Sequence, residues 1–241
     1  MFDNRTYREK SRRKGLVQFT VTVKETDLHI QAQSDLSRKA VESVLECRGH
    51  IEGYIARNPE FLTSMVPVKP VFPTPTIVGK MIDAGQRTGV GPMAAVAGAV
   101  AEFTGTKLLE DSSEIIVENG GDIFIKINSE AVFGIYAGTS PLSMRTGVRV
   151  NRPGTPFALC TSSGTLGHSV SFGRADAATV ISESACIADA AATALGNRVK
   201  KESDIAAAIK TGQRMDGVLG IIIIKGKHLG AWGDVELVRL P

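Results

Sequence analysis

A helix predicted over Ala185 to Leu195 most constrains how this chain can fold, because nearly all of its side chains are small. A neighbouring element or a ligand can therefore approach its backbone closely. Two oxygen-bearing side chains, Asp189 and Thr193, lie four residues apart, which places them on one helix face about one turn apart. A carboxylate and a hydroxyl are hard donors that suit a Mg²⁺ ion keeping several waters and phosphate oxygens.

Both side chains also have ordinary structural explanations. An aspartate near the start of a helix complements the helix dipole, and a threonine inside a helix often donates to a carbonyl of its own helix. The helix alone therefore leaves a metal site and a structural role open.

A second run of small residues follows Pro92, which suits the first turn of a helix, and continues to Ala101. Two small-residue helices in one chain indicate close approach, either to each other or to a ligand. Tight packing of helix on helix is the simpler of these two explanations.

Apolar periodicity predicts the remaining elements. Leu16 to Gln33 alternates as a hairpin, and a long helix follows from Ser34–Ser37 to Asn58. Four prolines make 65–75 an extended connection. The other predictions are a helix at Thr76–Gln86, strands at Glu114–Val117, Ile123–Ile127, Val132–Tyr136, Arg145–Val150, Pro156–Cys160 and Ala178–Ile181, a helix at Asp204–Lys210, and a closing hairpin of Val218–Lys225 with Leu229–Arg239. The pattern predicts an α+β fold, with largely antiparallel sheets packed against helices. We expect one domain over residues 1–241, with two lobes joined near 65–75 as a variant of it.

Two polar, glycine-containing segments lie among these elements. Glu118-Asn119-Gly120-Gly121-Asp122 joins two apolar strands, and its glycines leave the backbone bare on one side. As a hairpin turn it needs no ligand, although its acidic flanks are unusual. The second segment, Thr161 to Gly173, contains His168 and leads towards the Asp189 helix.

The composition limits the partners. The net charge is only +3, and much of the excess lies in the first fourteen residues, where Tyr7 is the single aromatic besides Phe2. We interpret this stretch as a solvated arm and expect no nucleic-acid partner. Three cysteines without metal-type spacing indicate a reducing compartment, and no segment suggests a signal peptide or a membrane span. We therefore expect a cytoplasmic protein.

Three motifs together resemble the ApbE family, the FAD:protein FMN transferases. They are the Asn119-Gly120-Gly121-Asp122 turn, the Gly167-His168 pair, and Ala188-Asp189 followed by Thr193-Ala194-Leu195. The chain is more similar still to a short branch of ApbE-like proteins, with which it shares ETDL at 25–28, GVGPMAAVAGAVAE at 89–102, VENGGD at 117–122 and TSSGTLGHSVSFGRADA at 161–177.

The resemblance implies an ApbE-like, T-fold-related domain that holds FAD with Mg²⁺ bridging its diphosphate. It implies Asp189 and Thr193 as metal ligands and His168 as the catalytic base or charge stabiliser. The cofactor-binding residues that it implies are Glu118, Asn119, Gly120, Gly121, Asp122, Ser162, Ser163, Gly164, Gly167 and Ser169.

The chain departs from the transferases at two motifs. Ser169-Val170-Ser171 replaces an Ile-Ile-Asp-Pro type sequence after the histidine, and Gly91–Val96 occupies the place of a Lys-Gly-Tyr element. The first hypothesis is a Mg²⁺-dependent enzyme that acts on FAD or a related dinucleotide, by FMN (phosphoryl) transfer to a protein hydroxyl or by hydrolysis. The alternatives are a non-catalytic protein that binds a flavin or phosphate-bearing ligand, and a purely structural domain. An acceptor protein and a homo-oligomer are further partners that the first hypothesis allows.

Overall fold

The structure is a computed structural model that describes residues 13–164 and 173–241. The strands are β1 (Val17–Val23), β2 (Thr26–Ala32), β3 (Ile115–Asn119), β4 (Asp122–Lys126), β5 (Ala131–Gly134), β6 (Thr146–Val150), β7 (Phe157–Ser162), β8 (Ala177–Ser182), β9 (Val218–Lys225), β10 (His228–Gly233) and β11 (Glu236–Arg239). The helices are α1 (Ser37–Arg57), α2 (Glu60–Thr63), α3 (Thr76–Thr88), α4 (Val96–Leu108), α5 (Ala185–Gly196) and α6 (Ile205–Gly212), with 3₁₀ turns at Pro92–Ala95 and Glu202–Asp204.

Two antiparallel sheets and a layer of helices make up the fold. The larger sheet has eight strands in the order β1-β2-β3-β4-β7-β8-β9-β10, and the smaller has three in the order β11-β6-β5. Within each sheet, every pair of neighbouring strands is antiparallel. This confirms the predicted α+β fold with largely antiparallel sheet.

Strand β9 shows why both faces of the large sheet are buried. Successive side chains of a strand point to opposite faces, so a run of four isoleucines serves two cores at once. Ile221 and Ile223 pack into the core beneath the helices, while Ile222 and Ile224 pack into the core shared with the small sheet. An all-apolar strand in an antiparallel sheet thus reflects cover on both sides.

The two small-residue helices lie at the centre of the helical layer. Helix α4 packs on β3 and β4, α5 packs on β7 and β8, and the two helices contact each other. The predicted close approach of helix to helix is therefore present in the fold.

One predicted strand was wrong in its extent. Leu229 to Arg239 was predicted as a single strand, but the chain divides it into β10 and β11, which belong to different sheets. The division falls at Gly233, whose φ of +85° suits glycine, and at Asp234, whose amide donates to the Leu219 carbonyl. This turn carries the chain from the edge of the large sheet to the small one.

The connection at 65–75 contains no helix, as its prolines predict, although the single-turn helix α2 precedes it. The division of the chain into one domain or two lobes stays a prediction. Of the basic arm, the first twelve residues lie outside the described residues.

Candidate functional site

The site is built around the contact between the start of α4 and the side chain of Asp189 on α5. Asp189 is buried, and its Oδ2 accepts a hydrogen bond of 2.9 Å from the Gly98 amide, near the first turn of α4. The approach requires glycine, because a Cβ at position 98 would lie 2.2 Å from the Ala185 carbonyl oxygen and 2.9 Å from the Asp189 Cβ. The small residues predicted to allow close packing do so here.

A second carboxylate, that of Glu102 on α4, lies at the start of α5. Its Oε2 accepts from the Ala185 amide at 2.7 Å and from the Ser184 hydroxyl at 3.0 Å. Its Oε1 accepts from the Lys80 ammonium at 2.7 Å. Burial lowers the pKa of Lys80, but the hydrogen bond and charge of Glu102 outweigh that effect and raise it overall.

The turn between β3 and β4 reaches the same place. Asn119 Nδ2 donates to the Ala97 carbonyl at the start of α4, over 3.1 Å. The Gly121 carbonyl accepts from the Thr161 amide at 2.9 Å, and a Cβ at Gly121 would lie 2.5 Å from the Thr161 oxygen. The turn, the start of α4 and Asp189 therefore lie together, although they come from distant parts of the sequence.

This convergence places acidic side chains in a buried environment. Asp122 is buried, and its Oδ1 has no hydrogen-bond partner within the described residues. Burial raises the pKa of Asp122 well above its usual value, and the nearby charges of Asp189 and Glu118 raise it further. Burial also raises the pKa of Asp189 to about 7, against the opposing effect of the Gly98 and Ala97 amides.

The thiol of Cys160 completes the cluster. Burial raises its pKa, and the charges of Asp122 and Asp189 raise it further. The Sγ also lies 3.7 Å from the Ala185 carbonyl oxygen. In residues 13–164 and 173–241, no lysine or arginine forms an ion pair with Asp122 or Asp189. In that part of the protein, the ionised form of either carboxyl is therefore not stabilised by an ion pair, which agrees in direction with the raised pKa values.

The donor set fits a magnesium ion better than a metal held by protein alone. No group of three His, Cys, Asp or Glu side chains in the described ranges is arranged to hold a metal. Mg²⁺ typically binds through one or two carboxylates and keeps waters or substrate phosphates as its other ligands. The two interacting carboxyl groups of Asp122 and Asp189 fit that mode, because one Asp122 oxygen has no hydrogen-bond partner among the described residues.

The other predicted site residues fall into two groups. Thr193 lies one turn beyond Asp189 on α5 and is half-buried, as the spacing predicts. Ser162, Ser163 and Gly164 are half-buried near the end of β7, where Gly196 of α5 approaches Ser162. Gly167, His168 and Ser169 lie outside the described residues. The ligand-binding roles of all these residues stay predictions.

Glu102 and Cys160 were missed by the sequence analysis. Glu102 is the one acidic residue of the small-residue helix that starts at Pro92, and a lone acid there was a usable signal for a buried role. Nothing in the sequence near Cys160 indicates that it would lie beside Asp122.

Two surface grooves lie elsewhere. One of about 530 Å³ lies beside Lys39 and Lys107, and one of about 450 Å³ lies beside Arg87 and Arg214. Neither is lined by Asp122 or Asp189. The cluster of Asp122 and Asp189 remains the candidate site, because these two carboxyls are buried and have no ion-pair partner among the described residues. Among the helices in the described ranges, none is both long and apolar enough to cross a membrane.

The fold is that of solved ApbE structures. The flavin transferase ApbE from Vibrio cholerae superposes with a TM-score of 0.57 at 12% identity, covering 90% of this chain and 96% of that one. The flavinyl transferase ApbE of Pseudomonas stutzeri gives a TM-score of 0.58 at 12% identity, with coverage of 90% and 94%. At this identity the likeness establishes the fold alone.

Sequence similarity establishes the family. The family model described as AbpE bacteria matches residues 8–226, and the chain belongs to this family. It is similar to the UPF0280 protein of Methanococcus aeolicus, at 39% identity over 221 residues that cover 89% of each chain. It is also similar to the UPF0280 protein of Archaeoglobus fulgidus, at 40% identity over 223 residues that cover 90% of this chain and 92% of the other. The resemblance to ApbE-like proteins drawn from the motifs is therefore confirmed.

Proposed function

We propose that this protein binds FAD or a related dinucleotide together with Mg²⁺ and transfers the FMN moiety to a protein hydroxyl or to water. The observation that carries the proposal is the meeting of the Asn119–Asp122 turn with Asp189 in one buried acidic cluster. Membership of the AbpE bacteria family and the ApbE fold support it.

The residues that would hold the cation are Asp189 and Thr193, with Asp122 facing the same cluster. When bound, Mg²⁺ would neutralise charge on the diphosphate oxygens and so favour attack by an oxygen nucleophile. Asp122 Oδ1, which is buried and has no hydrogen-bond partner in residues 13–164 and 173–241, is an acceptor that such a complex would satisfy. Gly120 has no side chain, and a Cβ there would meet nothing within 4 Å, so a nucleotide can approach the backbone at this position.

The transfer step balances without a redox partner. The acceptor hydroxyl oxygen forms a bond to the phosphorus of the FMN moiety, and the bond from that phosphorus to the bridging oxygen breaks. AMP leaves with the bridging oxygen and its electron pair, while the hydroxyl proton passes to a base. The resemblance to ApbE assigns His168 to that role, and a neutral histidine can accept a proton near pH 7. With water as acceptor, the products are FMN and AMP.

The test is to incubate the purified protein with FAD, with Mg²⁺ or with EDTA, and to separate FMN, AMP and FAD by chromatography. We expect AMP, with FMN either free or protein-bound, in the Mg²⁺ sample only. Asp189→Asn keeps an oxygen to accept from the Gly98 amide but removes the charge, and we expect at least about a tenfold loss of rate. Glu102→Gln is the matched control, because it also replaces a buried carboxylate by an amide. The Glu102 carboxylate lies at the start of α5 and is not assigned to the cation. If Asp189→Asn forms AMP as fast as the wild type, the assignment of the cation is wrong.

A second candidate is a protein that binds the flavin ligand without turnover. It is favoured by Gly91–Val96, where the transferases have a Lys-Gly-Tyr element and this chain has Gly91 followed by a 3₁₀ turn at Pro92–Ala95. A thermal shift with FAD and Mg²⁺ but no AMP would select this candidate. If FAD gives neither a thermal shift nor AMP, both candidates fail and the structural-domain alternative stands.

A further inference from the structure

A short segment of the surface presents an unusual amount of apolar area. We call residues 62–72 the strap. Five of its large apolar side chains are exposed: Leu62 50%, Met65 54%, Val66 63%, Val71 53% and Phe72 93%. Single exposed apolar residues are normal on a soluble protein, whereas a contiguous group of them indicates an interaction surface.

The backbone of the strap is fixed to the body of the protein. The Val71 amide donates to the Tyr54 hydroxyl at 2.9 Å, and Gln86 Nε2 donates to the Val68 carbonyl at 2.9 Å. The Ser64 backbone packs tightly on Gly91, since a Cβ at Gly91 would lie 1.7 Å from the Ser64 carbonyl oxygen. The exposed side chains are therefore presented by an anchored backbone, which lowers the entropic cost of binding a partner.

Two charged residues in and next to the strap indicate which partner it binds. Glu60, at the start of α2, precedes Met65 and Val66 in the sequence and Lys69 follows them, and both charged residues are exposed. Neither forms an ion pair with any part of the chain that the structure describes. In a two-fold symmetric contact the same patch meets itself in the opposite direction. Glu60 of one copy would then face Lys69 of the other, across an apolar centre.

We propose that the strap is the contact surface of a homodimer, in which two copies pack strap against strap about a two-fold axis. The apolar centre supplies the binding free energy, and the two Glu60–Lys69 pairs set the direction. A large aromatic side chain such as Phe72 can bury on the order of 150–250 Å². Stable interfaces bury about 800 Å² per partner, so a contact centred on five side chains gives a weak dimer, with a Kd on the order of micromolar.

The experiment is sedimentation velocity of the full chain from about 1 µM to about 100 µM. The wild type is expected to shift from monomer to dimer over this range. Phe72→Ser is expected to weaken the dimer by at least about tenfold. The control is Leu45→Ser, because Leu45 on α1 is also 54% exposed but lies outside the strap. This control is expected to dimerise like the wild type.

Charge reversal tests the two-fold arrangement itself. Glu60→Lys and Lys69→Glu are each expected to weaken the dimer, while the double variant restores it, because the reversed charges face each other again. A monomer at every concentration would overturn the proposal, as would Phe72-dependent binding to lipid vesicles by a protein that stays monomeric. If the double variant loses as much dimer affinity as the two single variants lose together, Glu60 of one copy does not pair with Lys69 of the other. Dimer formation is measured without FAD turnover, so the dimer proposal can fail while the proposed function holds.

Discussion

Glu102 and Asp189 each cap the N-terminus of the helix that carries the other. Glu102, on α4, accepts from the Ala185 amide at the start of α5, and Asp189, on α5, accepts from the Gly98 amide at the start of α4. Amides in the first turn of a helix have no partner within it, and a carboxylate there also complements the helix dipole. The two helices therefore satisfy each other's unpaired amides, which fixes their relative position more firmly than alanine side chains could alone.

Glu102→Ala is expected to destabilise the fold strongly. The change leaves the Ala185 amide and the Ser184 hydroxyl without their acceptor in a buried place, and removes the partner of Lys80. We expect a loss of about 2–4 kcal/mol in the free energy of unfolding, measured by urea titration with far-UV circular dichroism. Glu102→Gln keeps a carbonyl acceptor, so its loss should be clearly smaller. Equal losses for the two variants would show that the hydrogen bonds at the start of α5 matter little.

Gly98→Ala is expected to separate α4 from α5. The added Cβ would lie 2.2 Å from the Ala185 oxygen, and backbone cannot yield as a flexible side chain does. We expect a loss of about 1–3 kcal/mol or more. Gly53→Ala is the matched control, since Gly53 is exposed within α1 and its new Cβ would meet nothing within 4 Å. That control should gain about 0.5–1 kcal/mol through helix propensity, so opposite signs are expected in the same unfolding assay.

The buried acids give the fold a distinct pH dependence. Burial and mutual charge raise the pKa of Asp122, and burial raises that of Asp189 to about 7, whereas both titrate near about 3.9 in an unfolded chain. Between these values the unfolded state binds fewer protons than the folded state, so their contribution to the free energy of unfolding falls as pH rises from about 4 to about 7. Exposed acids such as Glu25 and Glu52, whose pKa values are lowered, act in the opposite sense.

Asp122→Asn isolates the contribution of the buried acids. Relative to wild type in EDTA, we expect this variant to become progressively more stable as pH rises from about 4.5 to about 7.5. The measurement is urea unfolding of both proteins across that range, and the difference between them removes the shared effect of the exposed acids. A difference that stays constant with pH would mean that Asp122 is not held protonated in the fold.

The sequence predicts the parts of the fold that depend on local pattern. The alternation in β1 and β2, the period of α1 and the prolines after α2 all act over a few residues. The turn at Gly233 was missed, because the apolar alternation continues through it and the deciding contact is with Leu219 on another strand. The point at which β10 ends, and the sheet to which β11 belongs, therefore depend on a tertiary hydrogen bond.

In the candidate site, too, local pattern predicts some features and tertiary contacts decide the others. The spacing of Asp189 and Thr193 placed both on one helix face, and the 118–122 segment stood out by its acidic flanks, Glu118 and Asp122. What local pattern could not supply is the partner of Asp189, because Gly98 lies 91 positions away in sequence. The capping role of Glu102, which is buried, also depends on a distant segment, because the amide that it accepts from belongs to Ala185.

Thr193 provides the sharpest test of the cation site, because its hydroxyl can be removed with little change of shape. Thr193→Val is expected to weaken Mg²⁺-dependent binding of FAD by about tenfold, since one hard oxygen donor is lost, while Thr193→Ser should stay within about twofold of wild type. Titration calorimetry with FAD, in Mg²⁺ and in EDTA, measures both affinities. The EDTA titrations and the unfolding midpoints in EDTA should be alike for the three proteins, because the hydroxyl is assigned to the cation and not to the core. If Thr193→Val binds FAD in Mg²⁺ as tightly as wild type does, Thr193 is not a ligand and the cation is held by the carboxylates alone.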